Sequence, residues 1–210
     1  MASFLTCSGL QHPLFLLTLS GELNSAPPNC QFVVDDAEDT WEFSQKFDYI
    51  YGRALETCFK YRFNAIKSAF YVLRPGGYLE PQDCIVPFTC IDNTMKGTTL
   101  ERWVDLTLKG SNTLGKDWTR VSKYKQYLEE AAFEDVVEKR YEWPVGTWAK
   151  GQRMKMLGMW YREDLLYRVQ GLTLAILTRG LGMSIEEIEL LLIGVRDDIK
   201  SNKIDIYIPV

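Results

Sequence analysis

The sequence predicts a doubly wound α/β fold from about residue 30 onward. Gln31–Val34 and Phe47–Tyr51 are β-branched or aromatic runs typical of strands. Leu55–Leu73 carries apolar residues at spacings of three and four, which predicts an amphipathic helix. Pro75-Gly76-Gly77 then predicts a turn into a third strand that begins at Tyr78 and bends or ends at Pro81. Such a strand–helix–strand crossover joins parallel strands, whose faces are covered by helices.

Bulk composition excludes several classes of protein. The 210 residues are 46% hydrophobic and 25% charged, which suits one soluble domain. The net charge of -4 argues against a nucleic-acid scaffold. A single histidine, His12, and five scattered cysteines leave no metal-ligand cluster, and the cysteines favour a reducing compartment. No apolar stretch approaches the roughly 20 residues that span a bilayer, so we predict neither a metal nor a membrane partner.

The rest of the chain predicts further helices and two more strands. We expect helices within 91–132, interrupted at 110–115, and a longer one over about 155–178. Ser184 and Glu187 have the spacing of a capping box that begins another helix. Alternation predicts strands at 133–141 and 204–208, and the second stops so early that we expect a weakly paired edge. Near the N-terminus, 14–19 favours a short strand.

Ligands of open parallel sheets bind beyond the carboxyl ends of the strands. This rule selects the polar and small residues that directly follow each predicted strand. They are Asp35, Asp36, Tyr51, Gly52, Arg53, Gln82 and Asp83.

Several motifs in order resemble the fungal LaeA-like methyltransferases that use S-adenosylmethionine (SAM). They are Phe32–Trp41, Phe47–Arg53, Leu73–Glu80, Leu177–Gly182 and Tyr207–Val210. The resemblance covers 27–210, which we interpret as a partial methyltransferase-like domain with additional helices. Residues 1–26 are a divergent N-terminal segment. The fold implied is a truncated Rossmann-like sheet, and the function implied belongs to fungal secondary metabolism.

The resemblance also implies roles for particular residues. It places Asp36 and Ala37, with Asp35, at the adenine of SAM; the alternative is a solvated acidic turn or a helix cap. It places Gly52 and Arg53 near the methionine end of the cofactor. Tyr51 stands where the family commonly has histidine. By position alone, Tyr51 and Asp83 are the candidate catalytic groups. The candidate substrate-binding residues are Gln82, Trp103 and Trp118, although tryptophans at such spacings are more often core residues.

The chain departs from the family at its glycine-rich SAM loop. Nothing before Asp35 matches the E/D-x-G-x-G-x-G pattern: Gly9 and Gly21 are isolated, and Glu22 is the only acid there. About 30 residues are also too few for the strands, helices and loop that cradle the cofactor. We therefore expect incomplete or impaired SAM binding, with the cofactor-cradling strands missing.

Three functions fit these observations. The first is a SAM-dependent methyltransferase-family protein with an incomplete cofactor site. The second is a non-methylating enzyme, cyclase- or pericyclase-like, that orients an apolar natural-product intermediate by positioning alone. The third is an inactive binding or regulatory module that pairs with a complete paralogue. The expected partner is thus a small apolar substrate or a protein, in the cytoplasm or, as the resemblance implies, the nucleus.

Overall fold

The computed structural model describes residues 3–7, 13–17, 30–33 and 36–210. They form a mixed α/β structure that divides into two compact units. One unit takes in the residues up to Cys84 together with Arg120–Glu138, and the other comprises Ile85–Thr119 and Lys139–Val210. Within the described ranges, no helix has the length and hydropathy needed to cross a bilayer, and no group of three acidic, histidine or cysteine side chains could hold a metal ion.

The first unit contains a five-stranded sheet. Its strands are β1 (Ser3–Cys7), β2 (Pro13–Leu17), β3 (Cys30–Val33), β4 (Phe47–Arg53) and β5 (Leu73–Gln82), in the order β3-β1-β2-β4-β5. β1 is antiparallel to β2 and β3, whereas the β2–β4 and β4–β5 pairs are parallel. The predicted parallel α/β sheet is therefore confirmed.

The N-terminal segment contributes more strand than the sequence led us to expect. β2 pairs in parallel with β4, from Pro13 opposite Tyr49 to Leu16 opposite Gly52. The short strand predicted at 14–19 is confirmed by β2, which lies between β1 and β4 in the sheet. The predicted domain boundary near residue 27 stays a prediction.

The crossover helix α1 spans Arg62–Val72, so it begins seven residues later than its apolar pattern suggested. Leu55 and Phe59 are buried, but they lie in the loop before the helix and pack with Ile50 in the core. One carboxylate oxygen of Glu38 accepts the amides of Lys60 and Tyr61 at 2.8 and 2.7 Å. These bonds satisfy amides where the helix starts and set its beginning.

β5 follows α1 directly, without the predicted separate turn. The Pro75-Gly76-Gly77 segment lies inside the strand as an irregularity, since the pairing shifts between Phe47 and Tyr49 of β4. Gly76 has a φ of +80°, which accommodates this bulge. The strand continues through Pro81, where we expected it to bend or end, so it does not end there. β5 lies at the edge of the described sheet, where a missing N–H is tolerated.

Helix α3 (Tyr124–Glu130) adds a second cluster to this unit, in which Ile66 of α1 packs on Leu128 and Ala131. The strand predicted at 133–141 is wrong. Ala132, with a φ of +69°, and Phe133 instead close a Schellman motif, because their amides bond to the carbonyls of Glu129 and Leu128. Phe133 then packs edge-on against Phe70, so its ring serves core packing rather than a strand ladder.

The second unit contains a three-stranded antiparallel sheet. Its strands are β6 (Thr89–Cys90), β7 (Glu142–Pro144) and β8 (Ile206–Pro209), with β8 in the middle. The expected weak edge at the last strand was wrong. The Tyr141 and Val210 backbones exchange two 2.8 Å hydrogen bonds, and the Ile85 amide bonds to the Pro209 carbonyl at 2.7 Å.

Three helices complete the second unit: α2 (Thr99–Thr113), α4 (Gln152–Leu181) and α5 (Ile185–Lys200). α2 and α4 cross at glycines, since a Cβ on Gly180 would lie 2.5 Å from the Gly110 carbonyl oxygen. α4 ends at Gly182 in the left-handed conformation, and the predicted capping box of Ser184 and Glu187 is confirmed.

Candidate functional site

The carboxyl ends of β4 and β5 meet at a buried carboxyl group. Asp83 follows β5 directly and is only 7% exposed. Its Oδ1 accepts the Leu55 amide at 2.5 Å, and its Oδ2 accepts the Tyr124 hydroxyl. Asp83 thus ties the loop after β4 and the start of α3 to the end of β5.

Arg62 completes this buried cluster. It is the first residue of α1 and is 3% exposed. Its guanidinium donates to the carbonyls of Leu55 and Glu56 and, at 3.3 Å from Nε, to the Tyr124 hydroxyl. The same guanidinium lies 5.8 Å from the centre of the Tyr124 ring, within cation–π range. We call Asp83, Arg62, Tyr124 and Glu56 the buried anchor.

Burial shifts the protonation of the anchor. It raises the pKa of the Asp83 carboxyl above its ordinary value, although the hydrogen bonds from Tyr124 and Leu55 and the charge of Arg62 act against the shift. Burial, reinforced by the Asp83 charge, raises the pKa of Tyr124 well above its ordinary value. The Tyr124 hydroxyl therefore stays protonated at neutral pH and acts as a donor, not as a base.

A polar ladder lies on the outer face of β4 and β5, toward the same edge. The Tyr49 hydroxyl donates to Glu80 at 2.6 Å, and the Tyr51 hydroxyl donates to the Gln82 side-chain oxygen at 2.8 Å. The Gln82 amide in turn donates to Glu80 at 2.6 Å. Burial, and then the Glu80 carboxylate, raise the pKa of Tyr49 far above its ordinary value. Predicted site residues Tyr51 and Gln82 are therefore direct partners.

The chain leaves β4 through a strained turn at this edge. Gly52 is buried and Arg53 is exposed opposite Gln82 in the strand register. Ala54 has a φ of +54°, a conformation that costs about 1 kcal/mol or more for a residue with a Cβ. Two consecutive amides hold it: Ala54 bonds to the Gln82 carbonyl at 3.1 Å, and Leu55 bonds to Asp83. The anchor therefore fixes the direction of the turn that carries Arg53.

In the acidic turn that the resemblance places at adenine, Asp36 makes a hydrogen bond within the turn and Ala37 is buried. Asp35 lies outside the described residues. Asp36 is exposed, and its Oδ1 accepts the Glu38 amide at 3.0 Å. Ala37 is 1% exposed within the core cluster, and its carbonyl accepts the Trp41 indole N–H at 3.0 Å. Asp36 on the surface fits contact with an adenine amino group, but the Ala37 side chain does not. Of the residues that the resemblance places at adenine, only Asp36 therefore fits the adenine end of SAM.

Both candidate substrate tryptophans lie in the second unit. Trp103 is buried in the helical core, where its indole N–H donates to the Thr173 hydroxyl at 2.7 Å and its ring stacks on Phe88. Trp118 is equally buried. Both tryptophans therefore lie where the alternative prediction placed them, in the core, as is more common for tryptophans at such spacings.

Sequence reasoning missed Arg62 and Tyr124. Arg62 falls inside an amphipathic pattern, where a charged residue indicates a solvated face, and Tyr124 counted as an apolar helix residue. Nothing local to either residue signals a long-range partner. A buried arginine at the start of a helix is recognisable only once the tertiary fold is known.

No family model matches the chain. It is similar to "Methyltransferase pytC" of Aspergillus terreus, with 29% identity over 202 residues, 93% of this chain and 62% of the relative. It is also similar to "Probable methyltransferase tdiE" of Emericella nidulans, with 27% identity over 83% of the chain and 55% of the relative. "Secondary metabolism regulator laeA" of Aspergillus fumigatus is 21% identical over 86% of the chain and 49% of the relative. The chain thus spans about three fifths or less of these relatives' lengths.

Among solved structures, the chain is partly similar to a Haemonchus contortus N-methyltransferase in complex with phosphomonomethylethanolamine and S-adenosylhomocysteine. Its TM-score is 0.41 at 14% identity, over 86% of this chain and 36% of that one.

Proposed function

We propose that this chain, a relative of the fungal LaeA-like methyltransferases over most of its length, takes part in SAM-dependent methyl transfer at the carboxyl edge of β4 and β5. The observation that carries the proposal is the convergence of Tyr51, Arg53 and Gln82 at this edge, above the buried anchor. Ligands of parallel sheets bind at this position.

SAM, when bound, supplies an electrophilic methyl group; the chain's own residues bind and orient the acceptor. Asp83 is a positioning residue, because both its carboxylate oxygens already accept hydrogen bonds from the protein. Gln82 and Arg53 offer polar groups at the rim, where an acceptor oxygen or nitrogen can be held. Orientation of a small, largely apolar natural-product-like acceptor then contributes most of the rate enhancement.

A titration of the chain with SAM tests the cofactor half of the proposal. Because no glycine-rich SAM loop precedes Asp35, we expect weak but saturable heat in calorimetry and a rise in melting temperature only at high SAM concentration. Asp36→Asn should weaken binding by about tenfold, about 1.4 kcal/mol, because the adenine amino group loses a charged acceptor. Asp39→Asn, in the same exposed turn, is the matched control and should leave binding unchanged. Absence of both heat and thermal shift would refute SAM binding by this chain.

Transfer itself is tested with SAM that carries an isotopically labelled methyl group and a small-molecule extract of the source fungus. A labelled product detected by mass spectrometry supports methyl transfer. Gln82→Ala should lower its yield about tenfold, equivalent to ~1.4 kcal/mol in the barrier, whereas Tyr78→Ala on the same exposed strand face should not. Conversion of a substrate without SAM would instead support the non-methylating enzyme.

A further inference from the structure

Helix α4 carries a second apolar stripe that its own unit does not cover. The stripe comprises Arg153, Met156, Trp160, Glu163 and Tyr167, at spacings of three and four residues, and we call it the α4 stripe. Met156, Trp160 and Tyr167 are 53%, 66% and 89% exposed. Alternating spacings of three and four place side chains along one line of a helix, as in the seam of a coiled coil.

The opposite face of α4 packs into the hydrophobic core of the second unit. Tyr161, Leu165, Val169 and Leu177 are buried there, and the helix packs on α2 and α5. A surface helix needs only one such face. A line of large exposed apolar side chains on the other face therefore indicates an interaction surface.

The order of residues in the α4 stripe is self-complementary. Arg153 and Glu163 lie five residues on either side of position 158, and Met156 and Trp160 lie two residues on either side. An antiparallel copy of the same helix, centred at 158, therefore brings opposite charges together at both ends of the contact and apolar groups together in the middle. A parallel copy would face each charge with its like.

We propose that a second copy of this chain packs its α4 antiparallel on the α4 stripe, about a two-fold axis near residue 158. Arg153 then faces the partner's Glu163, and Met156 lies against the partner's Trp160. Each contact occurs twice, as in any closed isologous dimer. Sulfur–aromatic contact and burial of the indole provide the apolar centre.

The charged groups at the ends of the stripe are free to change partners. Glu163 bonds to its neighbour Arg162 at 3.2 Å, but its side chain is 58% exposed. Exposed pairs of this kind contribute little to stability. Turning Glu163 toward Arg153 of a second copy therefore costs little, and the charge pairs fix the register of the two helices rather than the strength of the dimer.

Sedimentation velocity of the full chain at micromolar concentrations tests the proposal. We expect a species of twice the chain mass that dissociates on dilution. Trp160→Glu should give a monomer at every concentration. Its melting profile should match that of the unmodified chain at dilutions where the unmodified chain is monomeric, because the side chain is exposed in the free chain. A monomer in the unmodified chain, an open series of larger assemblies, or a dimer unaffected by Trp160→Glu would each overturn the proposal.

Charge reversal tests the antiparallel register. Arg153→Glu and Glu163→Arg should each weaken the dimer about tenfold, since two pairs become repulsive. The double variant Arg153→Glu with Glu163→Arg should restore dimerisation, because both pairs re-form with reversed sign. Glu186→Arg, exposed on α5 and outside the stripe, is the control and should leave the dimer intact. Failure of the double variant to recover would exclude this arrangement.

Discussion

Tyr124 donates its hydroxyl hydrogen to the carboxylate of Asp83, 41 residues earlier in the chain. This bond joins the first residue of α3 to the end of β5, and Arg62 supports it from α1. It supports the Asp83 carboxyl group, whose other oxygen accepts the Leu55 amide in the turn after β4.

Tyr124→Phe should lower the free energy of unfolding by about 1–3 kcal/mol, because a buried carboxyl loses a donor that it cannot replace with water. Chemical denaturation measures the loss. Tyr127→Phe, one turn later on α3, is the matched control: its ring packs on Phe63, and we expect a change within about 0.5 kcal/mol. Equal losses in the two variants would contradict the role given to the Asp83 bond.

Stability should also depend on pH through Asp83. Burial raises its folded-state pKa, so above the unfolded value of about 3.9 the folded state binds more protons than the unfolded state. Stability contributed by this group is then complete below that value and falls as pH rises toward the raised folded value. The groups that face it are Glu56, Arg62 and Tyr124.

Urea unfolding at a series of pH values checks the sign of this dependence. The Asp83→Asn variant has no group that titrates at this position. The native chain should therefore lose stability relative to this variant as pH rises from about 3.9 toward the raised folded pKa. A native profile that rises relative to Asp83→Asn over the same range would show that the folded carboxyl has a lowered pKa.

The crossing of α2 and α4 should tolerate no side chain at its closest point. Gly180→Ala places a Cβ 2.5 Å from the Gly110 carbonyl oxygen, and we expect a loss of about 1–3 kcal/mol in unfolding free energy. Gly171→Ala lies in the same helix with nothing within 4 Å of its Cβ. It should be neutral or stabilise by up to ~1 kcal/mol. Thermal denaturation of the two variants compares them directly.

The capping box at α5 predicts a smaller, local effect. Ser184→Ala removes the acceptor that binds the Glu187 amide at 3.1 Å, which should cost about 1 kcal/mol. Glu187→Gln keeps a side-chain oxygen that can accept the Ser184 amide, so it should cost clearly less. If both variants unfold at the same denaturant concentration, the expectation that glutamine can replace Glu187 in the capping box is wrong.

Local patterns predicted most of the helices and the parallel crossover. The long apolar repeat of α4 and the serine–glutamate spacing of α5 are contained within short windows, so periodicity alone identifies them. The start of α1 was misplaced because Leu55 and Phe59 continue the helical spacing while packing from a loop. Only the distant Glu38, which binds the amides of Lys60 and Tyr61, distinguishes the two cases.

The location of the candidate site at this edge of the sheet stays a prediction, and the contacts of its residues could be foreseen only in part. The strand-end rule brought Tyr51, Gln82 and Asp83 to one edge, and Tyr51 and Gln82 are hydrogen-bonded there. The role of Asp83 depends on Tyr124 and Arg62, which come from other elements, so no local pattern could show that its oxygens are already used.

The central position of β8 has a consequence for how the protein is made. β6 and β7 pair only through β8 in the second unit's sheet, yet residues 206–209 are translated long after residues 89–90 and 142–144. During synthesis both outer strands therefore lack their strand partner, and their backbone groups stay bonded to water, until β8 leaves the ribosome. Pairing at such long sequence separation is slow and leaves intermediates prone to aggregation, so the second unit is where a nascent chain would most need a chaperone.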